Sequence, residues 1–320
     1  MGAPLQINYP LATIHYPMTI LTIFTGGTIA CSRTGGVLSP DCGNSYLLLD
    51  LYRKNDNTVA FETAQPYFIL SETLEPAHWE RLYNCIASHD LSRYDGVIVT
   101  HGTDTLSYTA AYLGLRLGLC EKPVVLVSAN YPLTDSRSNG LENFTGAVDF
   151  IRSGGNRGVF VSYRNTGEPL RIHRATRVLL QPSYSDAVFS VRNGYYATVE
   201  DHRVTREPAF SDEEPQLPAI PGEGRVLWLR AHPGMVCPDP KGCKAVLLEG
   251  YHSGTLNTSG EDLTAFCETC RQLSLPVFLT GSEEGFDYRS KQAFESLGIR
   301  VLSPVSPVLA YVGLVASGKW

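Results

Sequence analysis

With 320 residues, the chain is long enough for a large buried core and for two domains. Hydrophobic residues make up 43% and charged residues 18%, an ordinary globular balance, and the net charge of −6 argues against nucleic acid or an anionic membrane as the main partner. No apolar run approaches the ~20 residues that cross a bilayer, and Met1 to Pro17 lacks the basic start and clean apolar stretch of a secretory signal.

Met18 to Phe24 is a continuous β-branched and apolar run, which predicts a strand buried on both faces. Trp79, Leu82, Tyr83 and Ile86 recur at helical spacing after Pro76, which suits the first turn of a helix. Gly96 to Val99 reads as a second buried strand, Leu106 to Leu119 as an Ala- and Leu-rich helix, and Val124–Val127 and Gly158–Val161 as further strands. This alternation predicts an α/β fold with a mostly parallel, doubly wound sheet. The rhythm breaks between Val199 and Gly224, where four prolines and the acids Asp212, Glu213 and Glu214 suggest an exposed linker. Strand candidates resume at Arg225–Leu229, Ala245–Leu248 and Pro276–Leu279, with a helix from about Glu261 to Leu273. The expected organisation is therefore a larger N-terminal domain over 1–198, a linker over 199–224 and a smaller C-terminal α/β domain over 225–320.

Two hydroxyl-rich turns sit at strand ends. Thr25-Gly26-Gly27-Thr28-Ile29-Ala30 follows the first strand, and Thr100-His101-Gly102-Thr103-Asp104-Thr105 follows the second. Open α/β sheets bind ligands just outside the carboxyl ends of their strands. Hydroxyls delivered to that edge suit nucleophilic catalysis, provided a proton acceptor is within reach and backbone N–H groups meet the oxyanion. Either turn alone has a plainer reading: Gly26-Gly27 as a tight strand-to-helix connection, Thr25 and Thr28 as helix caps, and His101 as a structural residue bonded at the strand end. Their joint occurrence favours function.

These residues resemble the bacterial-type L-asparaginases, amidohydrolases that release ammonia from asparagine and sometimes glutamine. The resemblance rests on both turns, their spacing of 75 residues from Thr28 to Thr103, and Asn156-Arg157-Gly158-Val159. It implies that Thr28 is the acyl-accepting nucleophile, Thr103 a second catalytic threonine and Asp104 its neighbouring carboxylate. It also implies that Ser71 and Glu72 grip the α-carboxylate and α-amino group of an amino-acid substrate. No cofactor or metal is implied, and a homo-oligomer, dimer or tetramer, is.

The pattern departs from the family in three places. Arg177 stands where a proton-relaying lysine is expected, in Arg171-Ile172-His173-Arg174-Ala175-Thr176-Arg177, and no lysine occurs between Lys122 and Lys241. A guanidinium with a pKa above ~12 is not a neutral base, so Arg177 is expected instead to pair with Asp104 and orient Thr103. The loop tyrosine is missing from Cys31 to Ser45, with Val37 at its place and Tyr46 a possible substitute. His252-Ser253-Gly254-Thr255 replaces the Gly-Asn that the family often sends to a neighbouring subunit. Three readings stay open: an asparaginase-type amidohydrolase, an amidase or transamidase on another carboxamide, and a weakened paralogue that binds amino acids or a protein.

Other signals are weaker. No phosphate-binding glycine motif follows a strand. Cys237, Cys243, Cys267 and Cys270 evoke a zinc site, but their spacing fits buried thiols better. Eight cysteines are too few for a disulfide scaffold in a chain this long, which points to a reducing cytoplasm.

Overall fold

The computed structural model describes residues 17–34, 37–40, 42–210, 214–220, 222, 224–282 and 288–317, so the reading of Met1 to Pro17 falls almost wholly outside the described residues. In chain order, the first half comprises β1 (Met18–Phe24), β2 (Cys31–Thr34), β3 (Val37–Pro40), α1 (Cys42–Arg53), β4 (Val59–Ala64), α2 (Pro76–Ala87), β5 (Gly96–Thr100), α3 (Leu106–Leu117) and β6 (Val124–Val127). There follow α4 (Gly140–Arg152), β7 (Val159–Arg164), β8 (Leu170–Arg174), β9 (Ala197–Glu200) and β10 (Arg203–Arg206). The last part holds β11 (Arg225–Arg230), β12 (Cys243–Glu249), α5 (Glu261–Gln272), β13 (Val277–Thr280), α6 (Arg289–Leu297), β14 (Ile299–Val301) and α7 (Pro307–Ala316).

Eight strands form one sheet in the order β10-β9-β8-β7-β6-β5-β1-β4, parallel from β7 through β4. The apolar runs are explained by burial on both faces. Leu21, Ile23, Val97, Val99, Val124 and Leu126 pack against α2 and α3, while Ile20, Ile98, Val125 and Val127 pack against α1 and α4. The expected doubly wound α/β architecture is what the structure shows. From β1 the chain goes to β4 on one side, then crosses to β5 on the other. The crevice at the carboxyl ends of β1 and β5 is therefore the topological switch point, where such sheets bind ligands.

A second sheet, β11-β12-β13-β14, is parallel throughout. Its Val246, Leu248, Val277 and Leu279 face α5 and α6, and its Ala245, Leu247 and Phe278 join the core shared with α3 and α7. One apolar core thus runs through both sheets.

The segment 199–224, expected as a linker, opens with paired strand. Val199 and Glu200 complete β9, and β10 returns antiparallel beside it through a turn at Asp201 and His202 (φ +46° and +62°). Such a left-handed turn ordinarily carries glycine or asparagine, and β10 is a short polar edge strand, so neither leaves a clear trace in the sequence. Beyond it, Glu214 is tied to the larger half: Thr176 Oγ1 donates to its carboxylate at 2.6 Å. Among the described residues no helix is long and apolar enough to cross a membrane.

Candidate active site

Strands β1 and β5 are hydrogen-bonded neighbours with Phe24 opposite Thr100, so their two turns leave the sheet side by side. Thr25 Oγ1 fastens them by donating to the Thr100 carbonyl at 2.6 Å. A third segment is drawn in: Ile69 N donates to Thr25 O (3.1 Å), and Gly27 N donates to Ile69 O (3.0 Å). Ser71 and Glu72 arrive two residues later.

Glycine makes the approach possible. Gly26 and Gly27 have φ of +100° and +79°, which L-side chains rarely adopt. A Cβ on Gly27 would stand 2.2 Å from Gly102 N, and one on Gly102 would stand 2.4 Å from Ser71 Oγ. Gly27, Gly102 and Ser71 are thus in direct contact. Thr28 and Thr103 each lie one residue, ~3.8 Å of chain, beyond that contact, and both are half-buried.

The polar groups around the contact interlock. Ser71 Oγ donates to Asp104 Oδ2 at 3.2 Å, and Thr105 Oγ1 donates to the Ser71 carbonyl at 2.9 Å. Asp104 and Glu72 are both exposed. Burial pushes the Cys31 thiol pKa up, and the nearby Glu72 charge adds to the shift, which sets that carboxylate beside the first turn. The backbone N–H groups of Thr28 and Thr103 have no acceptor among the described residues. Five sequence-predicted residues, Thr28, Thr103, Asp104, Ser71 and Glu72, therefore gather at one edge of the sheet.

Arg177, expected to pair with Asp104, is not among the groups bonded to that carboxylate. β8 runs antiparallel to β7, with Arg174 opposite Phe160 at the start of that strand. After β8 the chain makes a short turn at Ala175–Arg177, and Val178 then pairs with Ser190. Thr176 packs against Gly114, eight residues or ~12 Å down α3 from its first residue. The Arg177 guanidinium stacks 4.7 Å from the Phe210 ring centroid, while the Asp104 carboxylate takes the Ser71 hydroxyl. Asn156 also lies off the site; it is buried, with Nδ2 donating to Phe150 O at 2.9 Å.

The remaining sequence candidates fall in varied places. Tyr46 is 55% exposed on α1, its ring 5.8 Å from that of Phe24 at the end of β1. His252 and Ser253 line a separate cavity of about 430 Å³ at the carboxyl edge of the second sheet. Cys267 and Cys270 are buried on α5, where burial, the largest cause, pushes both thiols up to about 11. Among the described residues no three His, Cys, Asp or Glu side chains are grouped to hold a metal ion.

His101 is a buried residue bonded at the strand end, as its plainer reading expects, with a partner in α3 that the turn sequence does not specify. Its buried ring contacts Gly102 O through Nδ1 and Thr109 Oγ1 through Nε2, both at 2.8 Å, and burial lowers its pKa to about 4. The spacing of His101 and Thr109 carries no usual sequence signal, because the contact depends on how α3 turns back past the strand end.

The sequence profile of the family described as "Asparaginase, N-terminal" matches residues 19–210. The chain belongs to the asparaginase family. An L-asparaginase from Thermococcus kodakarensis is 29% identical over 276 residues, 82% of this chain and 80% of that protein. A glutamyl-tRNA(Gln) amidotransferase subunit from Methanopyrus kandleri is 28% identical over 328 residues, 91% of this chain and 68% of the relative. The solved structure of L-asparaginase I from Vibrio cholerae superposes with a TM-score of 0.74, covering 95% of this chain and 94% of that one at 20% identity. An asparaginase-family fold with both sheets present is thus shared across nearly the whole length, and the family is one of amidohydrolases.

Proposed function

We propose that this asparaginase-family protein hydrolyses the side-chain carboxamide of an amino acid, L-asparagine first and glutamine next, with Thr28 as nucleophile. The observation that supports this reading best is the contact of Gly27 with Gly102, which leaves Thr28 and Thr103 flanking one point of the sheet edge. Thr28 Oγ attacks the carboxamide carbon, and the N–H groups of Thr28 and Thr103, which have no acceptor among the described residues, are suited to receive the oxyanion. Collapse breaks the C–N bond, the Thr28 proton ends on the leaving nitrogen, and ammonia departs. Water then cleaves the acyl ester, releasing the side-chain acid and restoring the hydroxyl.

Asp104 and Glu72 supply negative charge for the substrate's ammonium group, and Ser71, held by Asp104, supplies a hydroxyl for its carboxylate. With the Arg177 guanidinium over Phe210, permanently charged, and no lysine between 122 and 241, the proton moves through Thr103 and water rather than through a cationic side chain. The likeness to a glutamyl-tRNA(Gln) amidotransferase component over 91% of this chain favours a second reading, in which ammonia is released for use by a partner protein. We further read the protein as a homo-oligomer, dimer or tetramer, of cytoplasmic location; light scattering of purified protein tests the assembly.

Ammonia release from asparagine, glutamine and other carboxamides tests the function. Thr28→Ala is expected to lower kcat/KM at least ~10³-fold, the scale of disrupting a nucleophile unit. A Thr28→Ala protein that keeps its rate while Thr103→Ala loses it would reverse the two roles. Wild type inert toward every amide would leave the binding-protein reading.

A further inference from the structure

The Gly102–Thr103 peptide is held from behind. Its carbonyl lies 2.8 Å from His101 Nδ1, and a carbonyl oxygen only accepts, so the ring proton resides on Nδ1. The ring is neutral in its buried site, so Nε2 accepts from Thr109 Oγ1 at 2.8 Å. Thr109 is fully buried within α3, and His101 is 1% exposed. In a planar trans peptide the C=O and the following N–H point in opposite directions. The carbonyl faces the buried ring, so the Thr103 N–H faces the other way, toward the half-exposed side where Thr103 and Asp104 lie.

We infer that His101 is a positioning residue: with Thr109 behind it, it fixes the direction of the Thr103 N–H that meets the oxyanion. The inference rests on the amide-hydrolysis reading above, and it assigns to a buried imidazole a role in the rate rather than in proton transfer. Thr109 matters because its hydroxyl satisfies Nε2 and holds the ring in place. Without it the buried Nε2 lone pair is left without a donor, and the ring is freer to turn away from the Gly102 carbonyl it holds.

Steady-state kinetics on four proteins test this. His101→Leu removes the donor, and its kcat is expected to fall ~10²-fold with KM within ~3-fold, because loss of one oxyanion donor typically costs ~10²–10³-fold. His101→Asn places an amide N–H where Nδ1 stood and should recover kcat to within ~10-fold of wild type. Thr109→Val keeps shape and volume, and should lower kcat ~10-fold with KM unchanged. A purely structural histidine would instead lower the melting temperature of all three variants without this ordering of kcat. Should His101→Leu fail to fold, Thr109→Val decides. Active wild type with an unaltered kcat in folded Thr109→Val, or a loss confined to KM, would overturn the inference while leaving the proposed function standing. Wild type inert toward every amide would overturn both.

Discussion

The carboxyl edges of the two parallel sheets use the same backbone device for different ends. At the first, Gly27 meets Gly102; at the second, Gly254 (φ +71°) comes so close to the loop after β13 that a Cβ would stand 2.3 Å from Ser282 Cα. In both, a left-handed glycine lets one strand-end turn press against the next. The difference lies in the polar groups around the contact. At the first edge Ser71 is engaged by the Asp104 carboxylate, and two backbone N–H groups are left without acceptors among the described residues. At the second, Ser253 and Thr255 bond their hydroxyls to each other at 3.0 Å. Close approach alone therefore builds a turn; donors without acceptors beside a carboxylate build a candidate site.

Introducing the same methyl group at each edge separates these roles. Gly27→Ala combines left-handed strain with a clash against backbone that has no room to yield, so it should cost about 3 kcal/mol or more and abolish amide hydrolysis. Gly254→Ala should destabilise by a similar amount in urea titrations, yet keep kcat/KM where it remains folded. If Gly254→Ala loses activity in the folded state, the second edge contributes to chemistry and the contrast between the edges fails.

A smaller effect comes from two buried histidines on different parts of the large sheet. Burial lowers His101 to about 4 and, with help from the Arg171 charge, His173 to about 3, against an ordinary value of 6.5. The unfolded chain then binds more protons than the native one as pH drops below 6.5. Their contribution is fully present above that pH and is lost as pH falls toward 4, at up to about 1.4 kcal/mol per pH unit for each. Urea unfolding at pH 7 and pH 5 checks this, with His173→Gln expected to flatten the slope without altering kcat. The smallest change belongs to Arg177→Lys. Because its guanidinium stacks on Phe210 while Asp104 bonds to Ser71, kcat should change less than ~3-fold. A large gain in rate would show that residue 177 reaches the threonines after all.

Much of the first edge is legible in the sequence because its logic is local. A continuous apolar strand followed at once by glycines and hydroxyls announces both the strand and the place where its turn emerges. The helix after Pro76 is equally plain, with Trp79, Leu82 and Ile86 buried as their spacing requires. The neighbour of Arg177 is not legible, because sequence spacing does not record strand direction: the antiparallel course of β8 and the turn after it set the guanidinium over Phe210. The β9–β10 hairpin is hidden because its turn residues, Asp201 and His202, adopt a backbone shape usually left to glycine. The support behind the Gly102 carbonyl escapes the sequence for a third reason, since His101 and Thr109 face each other only once strand and helix have packed.

The bond from Thr25 to Thr100 joins residues 75 positions apart. Between them the chain must lay down β4, cross over β1 and set β5 on its other side before that bond exists. Closing so long a loop costs entropy that local contacts do not offset, and such pairings tend to slow folding. During refolding, helix content should therefore return before catalysis does, and a fragment ending ahead of Gly96 would carry the Gly-Gly turn with nothing to lock it.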